Sequence, residues 1–119
     1  TGPVLLENRV LIDGGTVNPV PYDLLTDECD VVIGIDVVGV RTKPKAQTPG
    51  YFETIFNAAK VMQQAIMSEK LRHREPDIYI VPNIVDIRAL EFYHADQVFA
   101  QAGPAKQELK RSLVKVLKL

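Results

Sequence analysis

Apolar residues fall in short dense runs over the first third of the chain and in helically spaced series after residue 50. Val4-Leu5-Leu6 and Val10-Leu11-Ile12 flank Glu7-Asn8-Arg9, the pattern of two short extended pieces around a polar turn. Pro19 and Pro21 keep Asn18 and Val20 out of helical geometry, which predicts an extended loop over residues 16 to 21 and then a short helix over 22 to 27. Val31 to Val37 is almost continuously apolar and β-branched, as expected of a parallel strand covered on both faces. Residues 38 to 50 hold Gly39, Pro44, Pro49 and Gly50 among Arg41, Lys43 and Lys45, and read as an exposed loop.

From Phe52 the period becomes helical. Phe52, Ile55, Phe56, Ala59, Met62 and Ile66 recur at three- and four-residue steps, which predicts an amphipathic helix with one buried stripe. Arg72, His73 and Arg74 suit the negative end of the helix dipole, and Pro76 stops the helix. Asp77 to Val81 follows as a strand, and residues 83 to 93 as a connection. Ala95, Val98, Phe99 and Ala102 predict a further helix, with a break or kink at Gly103-Pro104. From Pro104 the pattern continues through Leu109, Leu113, Val116 and Leu117 as a final helix.

Strands alternating with helices predict an α/β fold in which residues 10–12, 31–37 and 77–81 share one mainly parallel sheet flanked by helices. Three strands are few for a sheet whose central members need neighbours. They read as one side of a larger sheet.

At 119 residues and 46% hydrophobic content, the chain fits a single globular domain that should bury roughly two thirds of its unfolded surface. Fourteen basic and fifteen acidic side chains leave a formal charge of −1, which supplies no general attraction to nucleic acid. Cys29 stands alone, so no internal disulfide forms and a reducing cytoplasm is the expected setting. Thr26, Asp27, Glu28 and Asp30 surround it, and those acids disfavour a nucleophilic thiolate. No run reaches the roughly 18 apolar residues that cross a bilayer, and no export signal opens the sequence.

Chemistry concentrates at Asp13-Gly14-Gly15, directly after Val10-Leu11-Ile12. An apolar run closed by a glycine pair reads as a buried strand ending in a tight turn, and ligands of open α/β sheets bind beyond the carboxyl ends of strands. Gly14 and Gly15 lack Cβ atoms, so they can take positive φ and admit a close neighbour. Asp-Gly by itself usually marks only a chain reversal. The longer pattern is more specific: Arg9 to Asp13-Gly14-Gly15, then Asn18-Pro19-Val20-Pro21, a short helix, and Asp30 to Asp36-Val37. It resembles the C-terminal part of a patatin-like phospholipase domain, and the resemblance extends through Ile78-Tyr79-Ile80-Val81-Pro82, Leu90-Glu91-Phe92 and Ala95-Asp96.

The resemblance implies a serine acyl hydrolase acting on lipid acyl esters, cytoplasmic or peripheral to a membrane, with no metal or organic cofactor. It implies that Asp13 is the catalytic base of a Ser-Asp dyad, with Gly14 and Gly15 supporting the active-site turn. The nucleophile is not in this sequence. Ser68 and Ser112 both lie within expected helices rather than in a Gly-x-Ser-x-Gly turn, and no glycine-rich loop supplies oxyanion donors. The chain is therefore expected to be inactive alone and to work with an N-terminal half of the domain. The rival reading is a non-catalytic lipid- or protein-binding module that keeps the hydrolase fold.

Weaker candidates complete the list. Asp36, at the end of a strand, is expected to cap a turn or accept hydrogen bonds rather than to catalyse. His73 and His94 read as surface residues rather than metal ligands. The last helix carries Lys106, Lys110, Arg111, Lys115 and Lys118, and could lie on an anionic membrane, although packing of its apolar stripe on the sheet is the expected arrangement. A sheet edge left open in the isolated chain would favour a homo-oligomer.

Overall fold

The computed structural model describes residues 2–38, 50–85, 87 and 92–118. Most of the expected 38–50 loop and part of the 83–93 connection, including Leu90 and Glu91, therefore lie outside the described residues. The architecture is mixed α/β, with two long helices and two small sheets.

Strands β1 (Val4–Leu6) and β2 (Arg9–Leu11) form an antiparallel hairpin, with Val4 opposite Leu11 and Leu6 opposite Arg9. Glu7 and Asn8 both take positive φ, at 46° and 62°, so a two-residue turn of the mirror-image type matches the twist of the strands. The expected sharing of residues 10–12 with a parallel sheet is thus corrected. Local pairing with β1 across a two-residue turn closes a far shorter loop than pairing with a strand twenty residues away. Nor is this run buried, since Val10, Leu11 and Ile12 are all exposed.

Strands β3 (Ile33–Ile35) and β4 (Ile78–Ile80) are paired in parallel, with Gly34 opposite Tyr79. Their ladder is extended by the Asp36 N–H on the Ile80 carbonyl and the Ile78 N–H on the Val32 carbonyl. The Val32 N–H is taken by the Asp77 carboxylate at 2.8 Å. Only one face of β3 is covered: Val32, Gly34 and Asp36 are buried while Ile33, Ile35 and Val37 are exposed. Coverage on both faces, expected from the unbroken apolar run, is corrected to coverage on one. Gly34 suits the close packing there, because a Cβ would meet Tyr79, Pro76 and Tyr22 side chains at 3.2, 3.4 and 3.6 Å.

Between β3 and β4 runs α1 (Tyr51–His73), close to the expected span. Its last turn holds Lys70, Arg72 and His73, and the chain leaves in an extended conformation two residues before Pro76. The buried side of α1 is not the expected stripe. Phe52, Ile55, Phe56, Ala59 and Met62 are exposed, whereas Gln63, Gln64, Ile66, Met67, Lys70 and Leu71 are covered fully or in part. Only the C-terminal part of the helix meets the rest of the described structure, so burial follows that contact rather than the longest apolar series.

The expected short helix over 22–27 is a single 3-10 turn at Tyr22–Leu24 followed by further turns. After a 3-10 turn at Phe92–His94, α2 (Ala95–Val116) runs through Gly103-Pro104 as one helix, so the expected break is also corrected. Proline clashes with the Cβ of the residue before it when that residue is helical, and glycine has none. α2 packs against β4, where Ile78 and Ile80 are buried.

The core is thin. Tyr22, Val32 and Met67 form one cluster, joined by Val20, Leu71 and Tyr79 at its margin. A globular protein of this length exposes about 6,500 Å², but this chain exposes 9952 Å². Much of the apolar side-chain surface of the hairpin and of the first half of α1 is uncovered. Among the described residues no helix is long and apolar enough to cross a membrane.

Candidate active site

The hairpin delivers the chain through Ile12 to Asp13, which caps a 3-10 turn at Gly14–Thr16. Its Oδ1 accepts the Gly15 N–H at 2.8 Å, and its carbonyl accepts the Thr16 N–H at 3.1 Å. An aspartate in this position satisfies backbone donors that a turn leaves open. The carboxylate is exposed, and among the described residues no donor reaches its other oxygen. Asp13 thus presents one fixed and one available oxygen to solvent.

Neither glycine uses the left-handed region, which corrects the expected role of positive φ. What Gly15 supplies is close approach. Its carbonyl accepts the Gln63 side-chain amide from α1 at 3.0 Å, and a Cβ on Gly15 would stand 3.0 Å from that amide and 3.1 Å from Asp13 Oδ1. Gly14 has open space around it.

The following turn is clamped by Lys70. Its ammonium donates to the Asn18 side-chain oxygen, to Asp23 Oδ1 and to the Val20 carbonyl at 3.0 Å, and it stands 4.7 Å over the Tyr22 ring. Val20 has φ of 47°, a conformation that a β-branched residue rarely adopts. The Lys70 contact and the Tyr22 N–H, which also donates to the Val20 carbonyl at 2.8 Å, hold it there. Tyr22 then reaches across to donate its hydroxyl to the Arg74 carbonyl at 2.7 Å. Burial raises its pKa, helped by the charges of Asp23 and Glu75.

The hydrogen bond from Lys70 holds the Asp23 carboxyl below its ordinary 3.8, with Asn18 assisting. A carboxylate whose folded pKa is lowered contributes stability that is present above the unfolded value and is lost as pH falls through the folded one. Lys70→Met should therefore weaken the protein at neutral pH, and the gap from the parent should narrow in acid, as pH falls below the ordinary 3.8 and Asp23 takes up its proton. Partial exposure of Asp23 keeps the ionic part modest. Urea unfolding at neutral and at acid pH checks this; a gap independent of pH would remove Asp23 from the explanation.

Asp36 is only 6% exposed, and both oxygens are engaged: Oδ1 accepts the Val38 N–H at 2.9 Å and Oδ2 the Tyr79 hydroxyl at 2.7 Å. That is the hydrogen-bonding role expected of it. Burial pushes the Tyr79 hydroxyl up from 10.0, and the Asp36 hydrogen bond and charge push it further. Beside this pair lies an open groove of about 340 Å³ whose walls include Gln64, Met67, Ser68, Leu71 and Val81.

Ser68 and Ser112 lie within α1 and α2, away from any strand-to-helix turn. Cys29 is exposed. His73 is exposed and stands 3.2 Å from Glu69 one turn earlier, while His94 is half-buried beside the Tyr93 ring. No group of three His, Cys, Asp or Glu side chains suited to a metal occurs among the described residues. Sequence reading missed Gln63 and Lys70. Both sit about fifty residues from the turn they hold, and nothing in their local pattern marks them. No protein-family model matches the chain, and no curated protein matches it.

Proposed function

We propose that this chain is the C-terminal portion of a patatin-like serine acyl hydrolase acting on lipid acyl esters, with Asp13 as the general base. The observation that carries this reading is the Asp13 carboxylate itself: exposed, capped on one oxygen by the Gly15 N–H, and mounted on a turn anchored to α1. A base must reach the proton that it removes, and its orientation must be held without consuming both acceptors. Asp13 meets the second requirement, with one oxygen held by the Gly15 N–H and the side chain exposed. The uncovered apolar surface of the hairpin and α1 supports the same reading, since a further layer of the domain would cover it.

In this mechanism Asp13 takes the proton of a serine hydroxyl as its oxygen attacks the acyl carbonyl, and returns it to the leaving alcohol. The serine and the backbone donors for the oxyanion come from sequence before Thr1. A fluorophosphonate probe should label a protein that carries that upstream sequence and leave the present chain unlabelled. Labelling of the present chain at Ser68 or Ser112 would overturn the division of roles. The rival reading is a lipid- or protein-binding module without turnover, for which the open groove beside Asp36 is the candidate site. Fatty-acid binding by the longer protein, with no probe labelling, would select it.

A further inference from the structure

Charge is divided unevenly along the chain. Residues 103 to 119 hold five basic side chains and one acidic, whereas residues 1 to 102 hold nine basic and fourteen acidic. The small overall charge of −1 therefore conceals a segment of +4 joined to a body of −5. Lys106, Lys110, Arg111 and Lys115 stand on α2 and Lys118 just beyond it, all of them exposed.

Two stripes of α2 behave differently. Val98, Ala102, Ala105, Leu109 and Leu113 are half-buried on the helix that packs against β4. Phe99, Lys106, Lys110, Val114 and Leu117 follow one another at steps of seven, four, four and three, and so share another face. On that face Phe99 is 73% exposed, Val114 50% and Leu117 49%. Two ammonium groups thus stand between apolar side chains that the described residues leave about half exposed or more.

We propose that this face of α2 binds an anionic lipid surface. Lys106 and Lys110 lie at the headgroup phosphates, while Phe99, Val114 and Leu117 enter the boundary of the acyl layer. A lipid surface is the occupant that matches both chemistries. A nucleic acid answers the cations but leaves Phe99, Val114 and Leu117 without use. The opposed charge of the body orients the docking, because the negative part is repelled from the surface that attracts α2.

The test is co-sedimentation of this chain with vesicles of phosphatidylcholine alone or with about one third phosphatidylserine. Binding should require phosphatidylserine and should be largely lost at about 0.5 M salt. Replacing Lys106 and Lys110 together by glutamine should lower partitioning about 25-fold, roughly fivefold for each charge. The corresponding arginine variant, which keeps the charge, should retain binding, and Lys60→Gln on α1 should not alter it. Phe99→Ser should weaken binding with every charge in place, and circular dichroism should show the same helix content in each variant. Equal partitioning onto phosphatidylcholine alone, no partitioning onto either vesicle, or indifference to the glutamine substitutions would overturn the proposal. So would indifference to Phe99→Ser, which would leave a general polyanion surface that heparin occupies equally well. None of these readouts depends on hydrolysis.

Discussion

On the proposed hydrolase reading, Asp13→Asn in a protein that also carries the proposed nucleophile should lower turnover by about 10² to 10⁴ while leaving folding unchanged. Asparagine keeps the shape of the side chain, and its carbonyl oxygen still accepts the Gly15 N–H that aspartate accepts at 2.8 Å. The 3-10 turn at Gly14–Thr16 therefore keeps its cap, and the Gln63 contact to the Gly15 carbonyl is untouched. Lost is the carboxylate's capacity to accept the proton of the proposed serine. Because the side chain is exposed, the stability change should stay within about 0.5 kcal/mol. Turnover of a chromogenic acyl ester and thermal unfolding, measured on the same preparations, separate the two effects. Near-normal turnover in a folded Asp13→Asn protein would refute the general-base role, and a large loss of stability would show that the carboxylate supports the turn by more than its hydrogen bond.

Tyr22→Ala should produce the largest loss of stability, about 3 to 5 kcal/mol. Few apolar side chains are buried among the described residues, and Tyr22 unites more of the structure than any other in its cluster. Its ring contacts Val32 and Met67, lies beneath the Lys70 ammonium, and faces Gly34, while its hydroxyl closes on the Arg74 carbonyl. Truncation opens a cavity at the junction of the Asn18–Asp23 turn, β3 and α1, and leaves the Arg74 carbonyl without that donor. Ordinary domains are stable by only about 5 to 15 kcal/mol, so a loss of this size in so thin a core should leave much of the chain unfolded. Urea denaturation followed by circular dichroism gives the difference directly. A cost below about 1 kcal/mol would mean that this cluster does not hold the structure together.

Gln63 and Lys70 give the Asp13 site its dependence on tertiary structure. An aspartate followed by two glycines is written in the local sequence, and so is the turn it caps. Whether that turn faces the helix depends on Gln63, and the turn that follows it is held by Lys70, each about fifty residues later on α1. The exposed Phe52-Ile55-Phe56 series makes the complementary point. Its helical spacing gives a true account of the helix and a false one of the side that the described structure buries.

By itself the sequence determined what depends on a few neighbouring residues. The two extended pieces around Glu7-Asn8, the turn at Asp13, the extent of α1, its end before Pro76 and the two strands later paired in parallel all follow from local backbone preference and spacing. Tertiary structure alone decided that β2 pairs with β1 rather than with β3, that one face of β3 is covered, that Tyr79 closes on Asp36, and that Lys70 clamps a strained turn. The physical reason is that periodicity marks an apolar stripe without naming what will cover it. Burial is a property of pairs of segments, and those pairs form only once distant parts of the chain have met.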